Sequence, residues 1–473
     1  MVFARGGKIL SWAANFIAKR GTFRRNGFVI ISNHHLAADR IELSQPITFA
    51  DVVCCGCSCL CDDLQITVAA GQIAQIAPAC PHAASYFAIA EDAQSNCQIN
   101  GKAATIDTAI AAATKLLAGA KSPLLLGLGE LTIDGQRAAL DWADRLGAYV
   151  DAGNPAESDP SGVVLQSTGM ITATLGEIRD RADVILFWNA DPATTQPRHF
   201  TRFSLDAPGR FLTAPRTALA IDSQATATTA RAELFCESPL SQNLETAHTL
   251  LALARGKKID RKRVPQLQDI ESIHARLSSA TYAAIVCAPR FYGGADGAAI
   301  LETLADYVRE LNRNSRAIIS LERSGPNWIG AAESIAWRTG YPSPVRFAAD
   351  GPTFDPTGYR AAKLLSRGQV DALIRFDGDW LTSAPSELLT AMAKLPTISL
   401  GWRQSELPAN IQFRVAKPGV ECGGSMHRLD DVPLPLTQVL PTTRMTAEDA
   451  IRRMTNASCA ASGLTSSLRS PSV

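Results

Sequence analysis

A chain of 473 residues, 46% hydrophobic and 19% charged, has material for two or three packed units and no global signature of disorder. Its 46 lysines and arginines almost balance 45 aspartates and glutamates, a formal net charge of +1, so it lacks the broad positive field that nucleic-acid binding uses. No stretch approaches the roughly 18 consecutive apolar residues that span a bilayer, and no membrane role is expected.

Residues 1–45 carry Arg5, Lys8, Lys19, Arg20, Arg24, Arg25 and Arg40 around an apolar patch interrupted by Ser11 and Asn15. They read as a poorly structured extension, not a secretory signal, and the chain is expected to be cytoplasmic. Residues 46–100 form a cysteine-rich region. Seven of the eleven cysteines (Cys54, Cys55, Cys57, Cys59, Cys61, Cys80 and Cys97) crowd there, while Cys236, Cys287, Cys422 and Cys459 stand alone. Such crowding without an export signal favours a reduced compartment and a metal or cluster site over a disulfide framework.

Cys54, Cys57 and Cys61 form C-x2-C-x3-C. Residues 65–69 (QITVA) and 72–76 (QIAQI) flank Ala70-Gly71 as a hairpin, which brings Cys80 back toward them. Four thiolates from a turn-rich segment and one returning ligand suit an iron–sulfur cluster. Zinc also accepts four thiolates, although C-x3-C pairs are less typical of it. Cys55 and Cys59 fall outside the spacing and read as spectators; the plain alternative is small buried residues in a tight loop. Asp62-Asp63 reads as a capping or solvated pair.

From Gly101 the pattern alternates between helix and strand. Helices are expected at 106–118, capped by Thr105, and at 134–146, 174–181, 298–311, 358–365 and 386–394. Buried strands are expected at 123–128, 148–150, 184–188, 283–287, 317–321, 372–376 and 397–400. Alternation of this kind implies βαβ units: an α/β protein with doubly wound parallel sheets, divided into domains 101–280 and 281–440. Residues 341–359 read as a proline-rich loop. Residues 441–473 read as a C-terminal helix with a disordered tail beyond Met454.

Ligands of open α/β sheets bind beyond the carboxyl ends of strands. After the strand at 184–188, Asn189, Thr194 and Arg198 could hold a phosphate or a guanine edge, whereas His199 reads as structural. Gly127-Leu128-Gly129 lacks the third glycine of a dinucleotide fingerprint. Cys422 and His427 make a thin nucleophile–base pair.

The segments at 53–64 (VCCGCSCLCDDL), 171–199 (ITATLGEIRDRADVILFWNADPATTQPRH), 329–341 (IGAAESIAWRTGY) and 426–436 (MHRLDDVPLPL) resemble the B subunit of the formylmethanofuran dehydrogenase family. They also resemble its relative, the B subunit of the bacterial formyltransferase/hydrolase complex. The matching blocks run in the family's order through nearly all of the chain outside its ends. The resemblance implies a molybdopterin-oxidoreductase-like fold in which Cys54, Cys57, Cys61 and Cys80 match the ligands of one [4Fe-4S] cluster. It also implies that redox members bind tungsten or molybdenum through a cysteine followed directly by a histidine. The corresponding stretch here, residues 151–169 (DAGNPAESDPSGVVLQSTG), contains neither. A soft metal needs such a thiolate, and carbon dioxide reduction needs an adjacent proton-transfer group.

Molybdopterin or tungstopterin is therefore not expected, and no catalytic residue is assigned. The expected role is that of a non-redox structural component, assembled with a hydrolase (A), a C subunit and a formyltransferase (D) in tetrahydromethanopterin/methanofuran-linked one-carbon metabolism. The alternatives are an active tungsten or molybdenum dehydrogenase with an unusual ligand, and a plain metal-binding α/β protein.

Overall fold

The computed structural model describes residues 45–88, 95–152, 159–323, 325–403, 405 and 407–461. The expected N-terminal extension and the segment after Ala461 lie outside them.

Five largely apolar strands, Val184–Trp188, Thr217–Asp222, Leu234–Glu237, Ala283–Cys287 and Ala317–Leu321, build an all-parallel sheet. Side chains of a strand alternate between faces. Leu186, Trp188, Ile285 and Ile319 therefore pack on one side with the helices Asn243–Ala254, Leu267–Ser279 and Gly297–Leu311. Ile185, Phe187, Ala284, Val286 and Ile318 point the other way and share a core with the cysteine region.

The second sheet has nine strands with a parallel centre. Tyr149–Asp151, Pro123–Leu126, Ala372–Asp377, Thr397–Gly401 and Ile411–Arg414 pair parallel in that order. Leu125, Ile374 and Ile398 face the helices Ile106–Ala118, Ile133–Leu146 and Ala447–Ala461. Leu124, Leu126 and Leu373 face Leu364, Leu388 and Met392 on the opposite side. Both faces are covered, so the sheet is doubly wound as expected.

Three expectations change. The boundary expected between residues 280 and 281 falls inside the five-stranded sheet, because Leu234–Glu237 and Ala283–Cys287 both belong to it. The nine-stranded sheet draws its strands from both sides of that insertion, which chain order alone does not show. The proline-rich stretch 341–359 contains a hairpin, Val345–Ala348 with Gly351–Phe354, that pairs with Tyr149–Asp151 and extends the sheet. Pro352 is tolerated because its strand lies at the edge. The last helix runs past Met454 to Ala461, held by buried Ala450, Ile451 and Met454.

Candidate functional site

The strands Ile47–Val52 and Leu64–Ala69 pair antiparallel with Val52 opposite Leu64, so residues 53–63 must double back on themselves. The Cys54 N–H bonds the Cys61 carbonyl at 2.8 Å and the Leu60 N–H bonds the Cys57 carbonyl at 3.2 Å. Cys80 caps the helix Pro81–Phe87, its Sγ accepting the Ala83 N–H at 3.5 Å, while the Cys54 Sγ accepts the Gly56 N–H at 3.4 Å. A Cβ on Gly56 would stand 2.8 Å from the His82 carbonyl oxygen. Only glycine lets the loop lie this close to the helix that carries Cys80.

Cys54, Cys57, Cys61 and Cys80 line one cavity of about 10 Å³ with Leu64, Ala83, Pro197 and Arg198. Cys59, read as a spectator, lines it too. Cys55 instead faces a larger cleft. Burial pushes the Cys54 thiol well up and the Cys61 thiol to about 12. Cys57 goes the other way: the Cys59 thiol donates to it, which outweighs its burial, and the Arg198 charge adds to the effect. Cys59 is correspondingly raised by that bond and by burial.

Among the described residues no three His, Cys, Asp or Glu side chains are gathered for a single metal ion. A cluster spreads its thiolates over several irons, and hydrogen bonds to its sulfurs tune it. By its chemistry the four-thiol set, gathered around one cavity, fits such a cluster.

Asp62 and Asp63, read as solvated, are ion-paired. Arg198 makes a bidentate bridge to Asp63 at 2.7 and 2.6 Å, and Arg202 reaches both carboxylates. Burial works to raise the Asp63 pKa, but the Arg198 hydrogen bond and both arginine charges hold it below the usual value. The pairs fasten the cysteine loop to the helix His199–Phe203.

A cleft of about 410 Å³ opens where the carboxyl ends of both sheets converge. Gly127 and Glu130 follow the strand Pro123–Leu126, and Glu322 and Arg323 follow Ala317–Leu321. Pro289 and Arg290 follow Ala283–Cys287, and Trp380 and Trp402 follow the strands ending at Asp377 and Gly401. Cys55, Gly56, Cys57 and Ser58 close it from the cysteine side. Gly127 has φ +81°. A Cβ there would collide with the Phe376 carbonyl oxygen and the Trp380 indole nitrogen, so the glycine is required although no dinucleotide fingerprint is present.

Several buried groups at the cleft are tuned. Glu322 is 3% exposed, and burial, with the Asp191 charge second, raises it to about 8. Its Oε1 lies 4.0 Å from the His199 Nε2, and both atoms lack a hydrogen-bond partner among the described residues. Burial lowers His199 to about 4, and its Nδ1 lies 2.9 Å from the Ser204 hydroxyl. The Lys417 ammonium sits 3.9 Å from the Trp402 ring centre and 4.3 Å from that of Tyr86, and burial lowers it to about 7.

Of the residues expected to hold a cofactor, Asn189 is buried with φ +48°, and neither side-chain polar atom has a partner among the described residues. Thr194 is exposed, and Arg198 is committed to Asp63. None of the three lines the cleft, whereas their neighbours Thr195 and Gln196 do. Glu130, Arg290 and Glu322 were missed because the strand-end rule was applied to one strand only; each follows another buried strand. His427 pairs with Glu333, and the Cys422 thiol bonds the Ala416 carbonyl at 3.6 Å.

In the stretch from which a tungsten or molybdenum ligand is expected, the Asp151 carboxylate holds Arg360 at 3.0 Å and the Ala361 N–H at 2.9 Å. With neither thiol nor imidazole in residues 151–169, that stretch does not fit a metal held in the family's manner. Residues 153–158 lie outside the described residues.

Two sheets, one parallel throughout and one with a parallel centre, meeting at a cleft that the cysteine loop closes, define a doubly wound α/β protein. Comparison with known proteins narrows this. The chain is 27% identical over 418 residues to the B subunit of the tungsten-containing formylmethanofuran dehydrogenase 2 of Methanococcus maripaludis, covering 85% of this chain and 96% of that one. It is 28% identical over 414 residues to the protein of the same name from Methanocaldococcus jannaschii, covering 82% and 93%. To the B subunit of the formyltransferase/hydrolase complex Fhc of Methylorubrum extorquens it is 28% identical over 334 residues, covering 69% and 87%. The crystal structure of the FhcABCD complex of that organism with methylofuran contains the same fold, with TM-score 0.65, 24% identity and coverage of 78% of this chain and 100% of that one. No family model matches the chain. Over most of its length the chain is thus homologous to the B subunits of formylmethanofuran dehydrogenases and of the Fhc complex.

Proposed function

We propose that the chain is the B subunit of a formyltransferase/hydrolase-type complex in formylmethanofuran-linked one-carbon metabolism, with no redox step of its own. The carrying observation is the segment after Tyr149–Asp151, which offers no thiol or imidazole and whose leading carboxylate is used to hold Arg360 and Ala361. Its partners are a hydrolase A, a C subunit and a formyltransferase D, as the name and assembly of the Methylorubrum relative suggest. In that setting it is cytoplasmic; among the described residues no helix is long and apolar enough to cross a membrane. The four cysteines Cys54, Cys57, Cys61 and Cys80 hold one [4Fe-4S] cluster, which supplies a cross-link for a small region, as structural metals do.

A second reading, an active tungsten or molybdenum dehydrogenase, draws support from two observations. The tungsten relatives align over the larger share of the chain, and Cys55 and Cys57 place thiols on the cleft wall. Co-expression with the A, C and D subunits separates the readings. The first expects assembly-dependent release of formate from the formylated carrier and no formate-dependent reduction of a viologen dye. Dye reduction at enzymatic rates would establish the second.

A further inference from the structure

On the outer side of the cysteine cavity lies a second pocket of about 550 Å³, formed by Arg179, Arg198, Arg202 and Arg210 with Asp63 and Asp180. Arg198 lines both cavities. Arg179 pairs with Asp180, Arg198 with Asp63, and Arg202 with Asp62 and Asp63, so the four arginines exceed the carboxylates beside them by one positive charge. At the rim Phe211 is 53% exposed, with the Arg181 guanidinium 4.3 Å and that of Arg210 5.5 Å from its ring centre.

The pocket is held open by half-buried hydrogen bonds. Arg216 donates to the carbonyls of Ala182, Leu205, Ala207 and Arg179, fastening the helix Leu175–Arg181 to the turn after His199–Phe203. The Phe211 N–H bonds the Asp180 carbonyl at 3.0 Å, and a Cβ on Gly209 would stand 2.8 Å from the Arg179 carbonyl oxygen. A surface preorganised in this way loses little entropy on binding.

We infer that this arginine pocket is the docking site for an acidic segment of a partner polypeptide, whose carboxylates pair with Arg179 and Arg210 while an apolar side chain covers Phe211. Arginine and exposed aromatics are the residues that anchor protein interfaces. A nucleic acid needs an extended cationic track, whereas these arginines are confined to one pocket. Because Arg198 joins the two cavities, a docked segment sits one side chain from the cluster thiols. This site stands on the pocket alone and not on the proposed function.

The test uses the full chain and a fluorescein-labelled decaglutamate peptide followed by fluorescence anisotropy. Binding is expected to weaken as salt rises, and about tenfold in Arg179→Glu/Arg210→Glu, which reverses two charges of the pocket and leaves the bridges of Arg198 and Arg202 to Asp62 and Asp63 in place. Arg210→Gln/Phe211→Ala serves as a milder second variant and is expected to weaken binding as well. Arg261→Glu/Arg263→Glu, an exposed pair elsewhere, is expected to bind like the parent, and all variants to melt like it. Parent-like binding by both pocket variants would overturn the inference. So would equal weakening by the control pair, or tighter binding of an oligothymidylate or of inorganic phosphate than of the peptide.

Discussion

Glu322 occupies a position where a carboxyl group is costly to ionise: 3% exposed, against the neutral ring of His199, with its Oε1 unpartnered among the described residues. Its value of about 8, against an ordinary 4.5, means the folded chain holds a proton there that the unfolded chain has released. Folding stability therefore falls as pH rises between those two values. His199, lowered from 6.5 to about 4, acts with the opposite sign below pH 6.5, where the unfolded chain binds the extra proton. Between pH 6.5 and 8 the Glu322 contribution amounts to at most about 2 kcal/mol. Glu130, which burial also raises to about 8, adds to it, and Lys417, lowered to about 7, opposes both above that value. Urea unfolding at a series of pH values should therefore give Glu322→Gln a smaller loss of stability over that window than the parent. An unchanged loss in the variant would show that another group is responsible. Asp63 has the ordinary sign: its depressed pKa adds stability above the usual carboxylate range and loses it in acid.

At the scale of elements, strand ends and helix starts carry the chemistry, and glycine decides how closely they approach. Gly127→Ala should destabilise the chain by about 2–4 kcal/mol, through strained backbone and collision with Phe376 and Trp380. The urea midpoint measures it; a parent-like midpoint would show that the turn has room. The helix at 106–118 and the buried strand at 184–188 were legible in the sequence because a threonine cap and an apolar run are local signals. The hairpin at 345–354 was not. Its strands are four residues each, flanked by prolines, and are stabilised by pairing with Tyr149–Asp151 far away in the chain. Arg198 was legible as a charged residue at a strand end but not as the partner of Asp63, because that contact joins residues 135 apart in sequence.

Across the whole molecule, the five-stranded sheet is inserted between strands of the nine-stranded one, and the cysteine region packs on the first beside the cleft that both sheets form. The cysteine spacing was legible because Cys54, Cys57 and Cys61 are close in sequence. The cleft was not, because its walls come from residues 55 to 402. Five cysteines line one cavity, while residues 151–169, where the resemblance would place a tungsten or molybdenum ligand, contain neither thiol nor imidazole. Elemental analysis of the chain, purified anaerobically with its co-expressed neighbours, tests that contrast most directly. The account predicts about four irons per chain, lost in Cys57→Ser and kept in Cys55→Ser, with tungsten and molybdenum absent. Tungsten or molybdenum near one per chain, or iron unaffected by Cys57→Ser, would contradict it.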